Sequence, residues 1–329
     1  MSPNSDAESY LKPFGGKNKN CLNEILEDNN DEGMNISSDS PYVTLEQLCE
    51  QAAIYRDRIS ILSLNSQSIS SKFQNISLII ENLRLESNFS FSVICIQESW
   101  LSQNSVDATT FSIPNYKKPF DLPASCSKHG GLICYVHDSL EAEIVKRYNT
   151  SKLYEGLVIE ISGRGIQPTL VANFYRPPKF NNNNLTIEEF TKEFSAVIID
   201  LDKSNQNVLI AGDLNIDLLK VNEKEKYANF LDLMLEYGFF PKITMPTRFA
   251  RKSASLIDQI YIKNKHQTLT VAQSGILLSP TSDHFGCFSI LHQNLKKINK
   301  PKYIEITNVN DTTINNFSKA IGDIHFWYY

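Results

Sequence analysis

No two cysteines in the sequence are spaced as a CxxC pair; the six (Cys21, Cys49, Cys95, Cys126, Cys134, Cys287) are scattered. That spacing argues against a zinc ribbon or a dithiol redox motif. Several of the six sit in apolar runs, as small core hydrophobes of a reduced intracellular protein do. Positive charge is not in excess either: the net charge is −5 and the pI about 5.8. Any grip on a polyanion must therefore come from a local patch. No apolar run is long enough to span a bilayer, and Met1-Ser-Pro-Asn-Ser-Asp has no signal-peptide core. The expectation is a soluble, unsecreted protein of the nucleus or cytoplasm with no membrane partner. There is also no internal repeat.

What is present is a substantial apolar fraction. In 329 residues, 41% are hydrophobic and 10% aromatic, enough to core one large domain or two ordinary ones. Residues 1–50 are rich in Ser, Asn, Asp, Glu and Gly. Such a segment cannot bury enough surface to offset its ordering entropy, so it is expected to be largely disordered apart from a short helix near Leu45 to Arg58. A domain is expected over 57–293, followed by an extension over 294–329 that ends on Phe326-Trp-Tyr-Tyr329.

Inside that domain the hydrophobic period alternates between two and about 3.6. Strands are expected at Ile59 to Asn65, Ser92 to Glu98, Leu132 to Val136, Leu157 to Ile161, Thr169 to Phe174, Asn207 to Ala211, Leu256 to Lys263 and Phe285 to Leu291. Ser68 to Leu85 has helical spacing, and Thr186-x-x-Glu189 has the form of a capping box opening a second helix. A third helix carries Tyr227, Phe230, Leu231, Met234 and Leu235, with Gly238 as its C-cap. Asn181 to Asn184 is expected as a surface loop. Strands outnumber helices, which suggests an α/β fold of two mixed sheets packed face to face with helices outside.

The polar residues gather at strand ends. The apolar run Val208 to Ala211 stops at Gly212, and Asp213 and Asn215 follow two apart. In an extended segment that spacing projects both to one side, pairing a proton acceptor with an amide that can hold an oxyanion. Asn65 and Glu98 each close an earlier strand. If those strands are neighbours, they form the kind of site a hard cation accepts, with one or two carboxylates plus water and substrate phosphate. Thr281-Ser282-Asp283-His284 precedes the last strand. Asp258 heads an otherwise apolar strand and needs a buried partner, for which an imidazole is the natural choice. Tyr175-Arg176-Pro177-Pro178 would present a phenol and a guanidinium on a stiffened loop. Thr247-Arg248-Phe249-Ala250-Arg251-Lys252-Ser253 is the one dense basic loop, of the type that tracks phosphates.

Together and in this order, Leu64-Asn65, Gln97-Glu98, Tyr175-Arg-Pro-Pro178, Gly212-Asp-Leu-Asn215, Ser255-x-x-Asp258 and Ser282-Asp-His284 resemble the endonuclease/exonuclease/phosphatase superfamily. The form of Tyr175-Arg-Pro-Pro178 and the Thr247-Arg248 step look most like the apurinic-type endonuclease domain of non-LTR (LINE-like, Jockey/CR1-type) retrotransposons. The resemblance covers roughly Ile59 to Leu291. It implies a four-layer, DNase I-like sandwich of two mixed β-sheets flanked by helices, and Mg²⁺-dependent nicking of double-stranded DNA, with Mn²⁺ as a substitute ion.

Carried over residue by residue, the resemblance makes Glu98 the main metal ligand, with Asn65 and Asp283 on the metal side. Asp213 orients or deprotonates the attacking water, and Asn215 holds that water or the phosphate. His284, oriented by Asp258, donates to a phosphate oxygen, and Tyr175 contacts the phosphate or leaving oxygen. Arg176, Thr247, Arg248, Arg251, Lys252, Ser255 and Ser282 are implied as DNA- or phosphate-contacting or supporting residues. Longer relatives continue into a reverse transcriptase, so that enzyme and the element RNA become partners if the chain is a fragment of such a polyprotein. The chain has no Tyr-x-Asp-Asp polymerase signature, and 1–50 lies outside the resemblance. A phosphatase of the same fold acting on small esters, and an inactive DNA-binding remnant, are the competing expectations.

Overall fold

The computed structural model describes residues 40–293 except 57, 105, 126–128, 151, 152, 164, 179–185, 251, 252, 266 and 280. The expectations for 1–39, Asn181 to Asn184, Arg251, Lys252 and 294–329 lie outside the described residues.

Two mixed sheets carry the chain. The first contains Tyr42–Val43 (β1), Ile59–Asn65 (β2), Val93–Gln97 (β3), Phe120–Leu122 (β4), Leu132–Val136 (β5), Leu269–Leu277 (β14) and Gly286–Gln293 (β15), in the order β1-β14-β15-β2-β3-β5-β4. The second contains Glu141–Thr150 (β6), Tyr154–Gly163 (β7), Ile166–Tyr175 (β8), Asn207–Asp213 (β9), Phe240–Pro241 (β10) and Asp258–Lys263 (β13), in the order β10-β13-β9-β8-β7-β6. Arg248–Ala250 (β11) and Ser253–Ser255 (β12) form a separate hairpin. Among the described residues, four α-helices, Leu45–Ala52 (α1), Ile69–Ser87 (α2), Ile187–Lys203 (α3) and Glu225–Glu236 (α4), and three short 3-10 turns complete the regular structure.

The period-two pattern explains the layering. On β2 and β3, Ile59, Ile61, Val93 and Cys95 join the cluster shared with the second sheet. Their neighbours Leu62, Leu64, Ile94 and Ile96 join a second cluster with Leu48 of α1 and Ile69, Ile76 and Ile80 of α2. The far face of the second sheet is closed by Phe190 and Phe194 of α3 and Phe230 of α4, which stack within about 6 Å of one another. Each such phenyl, fully buried, contributes roughly 1.5–3 kcal/mol. The result is the four-layer α/β sandwich expected from the sequence: helices, sheet, sheet, helices.

Local signals work as expected at two helix ends. Thr186 and Glu189 exchange the reciprocal capping bonds that start α3. Gly238, at φ +72°, lets its own N–H reach Leu235 O and that of Phe239 reach Met234 O, closing α4.

The fold also begins earlier than residue 57. Tyr42 and Val43 add a parallel strand alongside Ile276 and Leu277, and Ser40 Oγ donates to Lys242 O at 2.6 Å. Thr44 and Gln47 form a capping box for α1. Val43, Leu48, Cys49 and Ala52 supply enough apolar surface to anchor this short piece, so residues 40–50 belong to the domain. Strand β6 was missed because it is an edge strand, and its outward residues are the charged ones that protect an edge. Cys49, Cys95, Cys134 and Cys287 are buried and free.

Candidate active site

Strands β2 and β3 are parallel neighbours, with Asn65 opposite Gln97, so Glu98 leaves the sheet beside Asn65. On β2, Ile61, Ser63 and Asn65 share the face turned toward the second sheet. One step below the site, Gln97 Nε2 donates to Asn173 Oδ1 at 2.7 Å, and Asn173 Nδ2 donates to Ile96 O at 3.0 Å. This buried polar tie fixes one sheet against the other. Above it, Asn65 Nδ2 donates to Glu98 Oε1 at 2.8 Å and to Asp213 Oδ2 at 2.9 Å. One amide therefore joins a carboxylate from each sheet. Its own Oδ1 accepts the Gln67 N–H at 3.2 Å, so the amide nitrogen, not the oxygen, faces the acidic groups.

Asp213 closes β9 between two partners. Tyr175 lies opposite it on parallel β8 and Asp258 opposite it on antiparallel β13. The residue before it has to be glycine: a Cβ on Gly212 would sit 1.9 Å from Phe174 O. Asp213 and Asn215 come together by a turn, not by strand periodicity as the sequence suggested. The strand stops at Asp213, Asn215 is left-handed at φ +50°, and its N–H returns to Asp213 Oδ1 at 2.9 Å. Asn215 Nδ2 donates to Arg176 O at 2.7 Å. Asparagine is among the few residues that adopt this conformation cheaply.

Beyond β13, Asp258 meets the imidazole expected of it. His284 Nδ1 lies 3.0 and 2.9 Å from the two carboxylate oxygens, and 3.8 Å from Asp213 Oδ2. Thr247 Oγ1 donates to Asp258 Oδ2 at 2.7 Å. Ser282 Oγ donates to Asn65 O at 2.8 Å and accepts the His284 N–H at 3.1 Å, tying the histidine loop to β2.

These contacts decide between sequence expectations: for Thr247 and Ser282 they favour the supporting role over contact with DNA, and for Arg176 they replace a phosphate contact. Thr247 is 0% exposed and cannot touch DNA; it orients Asp258. Arg176 is 6% exposed, donates to Leu214 O at 3.2 Å and Asn215 O at 3.4 Å, and lies over the Phe190 ring. It braces the turn after Asp213 instead of reaching a phosphate. Ser282 is likewise spent on internal bonds, and Ser255 accepts the Thr247 N–H through its carbonyl. Asp283, expected on the metal side, accepts from Gln67 Nε2 at 2.6 Å and from Arg248 Nε at 2.8 Å. It holds Arg248 at the rim, and the backbone of Arg248 pairs antiparallel with that of His284.

Burial and like charge set the proton affinities. Asp213 is raised to about 7, first by burial and then by the charge of Asp258, against the opposing pull of His284. His284 is raised to about 9: burial lowers it, but the charge and hydrogen bond of Asp258 and the charges of Asp213 and Asp283 outweigh that. Tyr175 is pushed well above the usual phenol range by burial, then by Glu98 and Asp213, so its proton stays in place. The site thus presents a proton acceptor, a cationic imidazole and a neutral phenol side by side.

Glu98, Asp213, Tyr175, Asn215, His284 and Arg248 line a cleft of about 290 Å³. Every oxygen of Glu98 and Asp213 already accepts an N–H, yet each keeps a further lone pair. Two carboxylates offering hard oxygens, with charge to spare, fit a divalent cation such as Mg²⁺. Asp213, Asp258 and His284 also present ligand-type atoms within 4.8 Å of one another. The 2.9 Å hydrogen bond within that trio explains its closeness, and an ion there would compete with the imidazole proton. The Glu98 side is the better seat.

Pro178 of the expected Tyr175-Arg-Pro-Pro178 loop also lines the cleft, as do Trp100, Gln67 and His129, three residues the sequence reading did not single out. Trp100 had a usable signal: it follows the strand-end carboxylate by two residues and donates through Nε1 to Glu98 Oε2 at 3.0 Å.

A family model described as the Endonuclease/Exonuclease/phosphatase family matches residues 62–284. No curated protein sequence matches. Three similar solved structures show the same fold. Danio rerio TDP2 complexed with single strand DNA product is 16% identical with a TM-score of 0.53, over 72% of this chain and 100% of that one. The AP endonuclease LMAP from Leishmania major is 14% identical with a TM-score of 0.54, over 72% and 88%. The endonuclease domain of TRAS1, a telomere-specific non-LTR retrotransposon, is 15% identical with a TM-score of 0.52, over 72% and 99%.

Proposed function

The chain belongs to the Endonuclease/Exonuclease/phosphatase family, and from that premise we propose that it is a divalent-metal-dependent endonuclease that nicks double-stranded DNA for a non-LTR retrotransposon. The observation that carries this reading is the Asn65 amide joining Glu98 and Asp213 across the two sheets, with the Asp258–His284 pair beside them. Hydrolysis of a phosphodiester needs an aligned water, a place for its proton, and compensation of charge on the phosphoryl and leaving oxygens. No covalent nucleophile is required.

Asp213, with its proton affinity lifted toward neutrality, is the acceptor for the proton of the attacking water. Asn215 sits beside it to orient that water. The cationic His284, fixed by Asp258, donates to a non-bridging phosphate oxygen, and Tyr175 donates toward the leaving oxygen. Glu98, with Asp213 facing it, would hold Mg²⁺, which supplies charge neutralisation at the phosphoryl group. Arg248 at the rim contacts the adjoining backbone phosphate. In a longer polyprotein the partners of this activity would be a reverse transcriptase and the element RNA.

The test is nicking of supercoiled plasmid by the purified chain in Mg²⁺ and in EDTA. Conversion to open circles in Mg²⁺ alone supports the reading. Hydrolysis of small phosphate esters with intact plasmid makes the chain a phosphatase. DNA binding with neither activity makes it a catalytically silent remnant.

A further inference from the structure

Trp100 is the only exposed large hydrophobic residue among those lining the cleft, at 39% exposure. It is also held there against its own backbone preference. Glu98 and Trp100 are both left-handed, at φ +50° and +58°, a conformation that bulky residues avoid and that persists only when the surroundings enforce it. The enforcement is visible. Ser99 N donates to Gly131 O at 3.0 Å and Trp100 N to Gly130 O at 2.8 Å. The glycine loop is itself pinned, since Gly131 N donates to the buried Glu155 Oε2 at 2.6 Å. The indole N–H is committed inward to Glu98, and the Trp100 and His129 rings lie perpendicular with centroids 5.6 Å apart. What remains for solvent is an oriented aromatic surface beside the catalytic carboxylates.

Charge compensation at a phosphate does not call for such a surface, and burial would have been the ordinary fate of an indole. A ring face accepts another flat ring, and in nucleic acid the flat rings are bases. In an intact duplex both faces of a base are covered by its neighbours, so only an unpaired or unstacked base can use the platform. We propose that Trp100 stacks on an unpaired nucleotide next to the scissile phosphate, which makes the preferred substrate of this site DNA with an unpaired base at the cut. This rests on the endonuclease reading and narrows its substrate class.

The experiment separates ring from N–H. Trp100→Phe keeps an aromatic face and drops the donor to Glu98; Trp100→Gln keeps an N–H donor and drops the face. Binding is read in EDTA by anisotropy of labelled DNA, comparing a duplex that carries one unpaired nucleotide with the fully paired duplex. Nicking kinetics in Mg²⁺ are read alongside. The wild type should prefer the unpaired site. Trp100→Gln should lose that preference by roughly 5- to 150-fold, the range of one base–aromatic stack. Trp100→Phe should keep the preference and lose kcat. The chain has only two tryptophans, Trp100 and Trp327. In a Trp327→Phe background, fluorescence should therefore be quenched by the unpaired site and not by the paired duplex. Equal affinity for both DNAs, a preference retained in Trp100→Gln, or one lost in Trp100→Phe overturns the proposal. Mg²⁺-dependent nicking without preference sinks this inference and spares the endonuclease. A stacking signal without nicking does the reverse.

Discussion

Replacing Asp258 by asparagine keeps the shape of the site and removes the charge that holds His284 as a cation. The imidazole is raised from 6.5 to about 9 although burial opposes this. At 1.36 kcal/mol per pKa unit, the net preference for the protonated ring is roughly 3 kcal/mol. Because the folded value lies above the unfolded one, this stability is fully present below about pH 6.5. It is lost as the pH rises through about 9. Asp213, raised from 3.8 to about 7, has the same sign: its contribution is present below 3.8 and lost as the pH rises through about 7. The metal-free wild type should therefore lose stability between neutral pH and pH 9. In Asp258→Asn that loss should shrink, His284 should titrate below neutrality, and Asp213 should fall because a like charge is gone. Nicking at pH 7.5 should drop roughly 100-fold or more, since the donor is no longer charged. Imidazole NMR titration in EDTA, with six histidines to assign, and urea unfolding across pH measure both effects. A variant whose His284 still titrates near 9 would refute the assignment of Asp258 as the source of that charge.

Three further outcomes follow from particular contacts. Gly212→Ala places a methyl against Phe174 O and should cost about 3 kcal/mol or more by urea denaturation; a loss under about 0.5 kcal/mol would contradict the close approach. Arg176→Met leaves the Leu214 and Asn215 carbonyls without their partner and should cost about 1–3 kcal/mol. Its salt dependence of DNA binding should be unchanged, whereas a shallower slope would restore Arg176 as a phosphate contact. Arg248→Ala should weaken DNA binding across sequences and reduce the salt slope by about one; an unaltered slope removes Arg248 from the footprint.

The gathering of polar strand-end residues was legible because the same residues announce both an end of regular structure and an ionisable or amide group. Asn65, Glu98, Asp213, Asp258 and His284 all follow or head apolar runs, and a sheet edge collects such residues from distant segments. The capping box at Thr186 and the glycine closing α4 were legible because their signals are local. What failed depended on side-chain direction. Arg176 looks like a phosphate ligand in a list of residue types, but it lies over Phe190; residue type left Thr247 open between DNA contact and support, and it supports Asp258. The turn at Asn215 overrode strand alternation because a left-handed residue ends the period. The helix expected near Leu45 to Arg58 is there as Leu45–Ala52, but its place in the domain was not legible, because the two-residue strand before it carries too few apolar positions to stand out from a polar tail. Trp100 was passed over because its place two residues after Glu98, though a usable signal, says nothing of the left-handed backbone that turns the indole back to that carboxylate.

The central claim is that Asp213 and Glu98, joined by Asn65, form a metal-assisted phosphodiesterase centre. The most direct measurement is supercoiled-plasmid nicking by wild type and Asp213→Ala at matched folded concentration, each in Mg²⁺ and in EDTA. The expected result is open-circle product from the wild type in Mg²⁺ alone, and none from a variant that circular dichroism shows to be folded. Wild-type nicking by Asp213→Ala, or equal nicking by the wild type in EDTA, would contradict it.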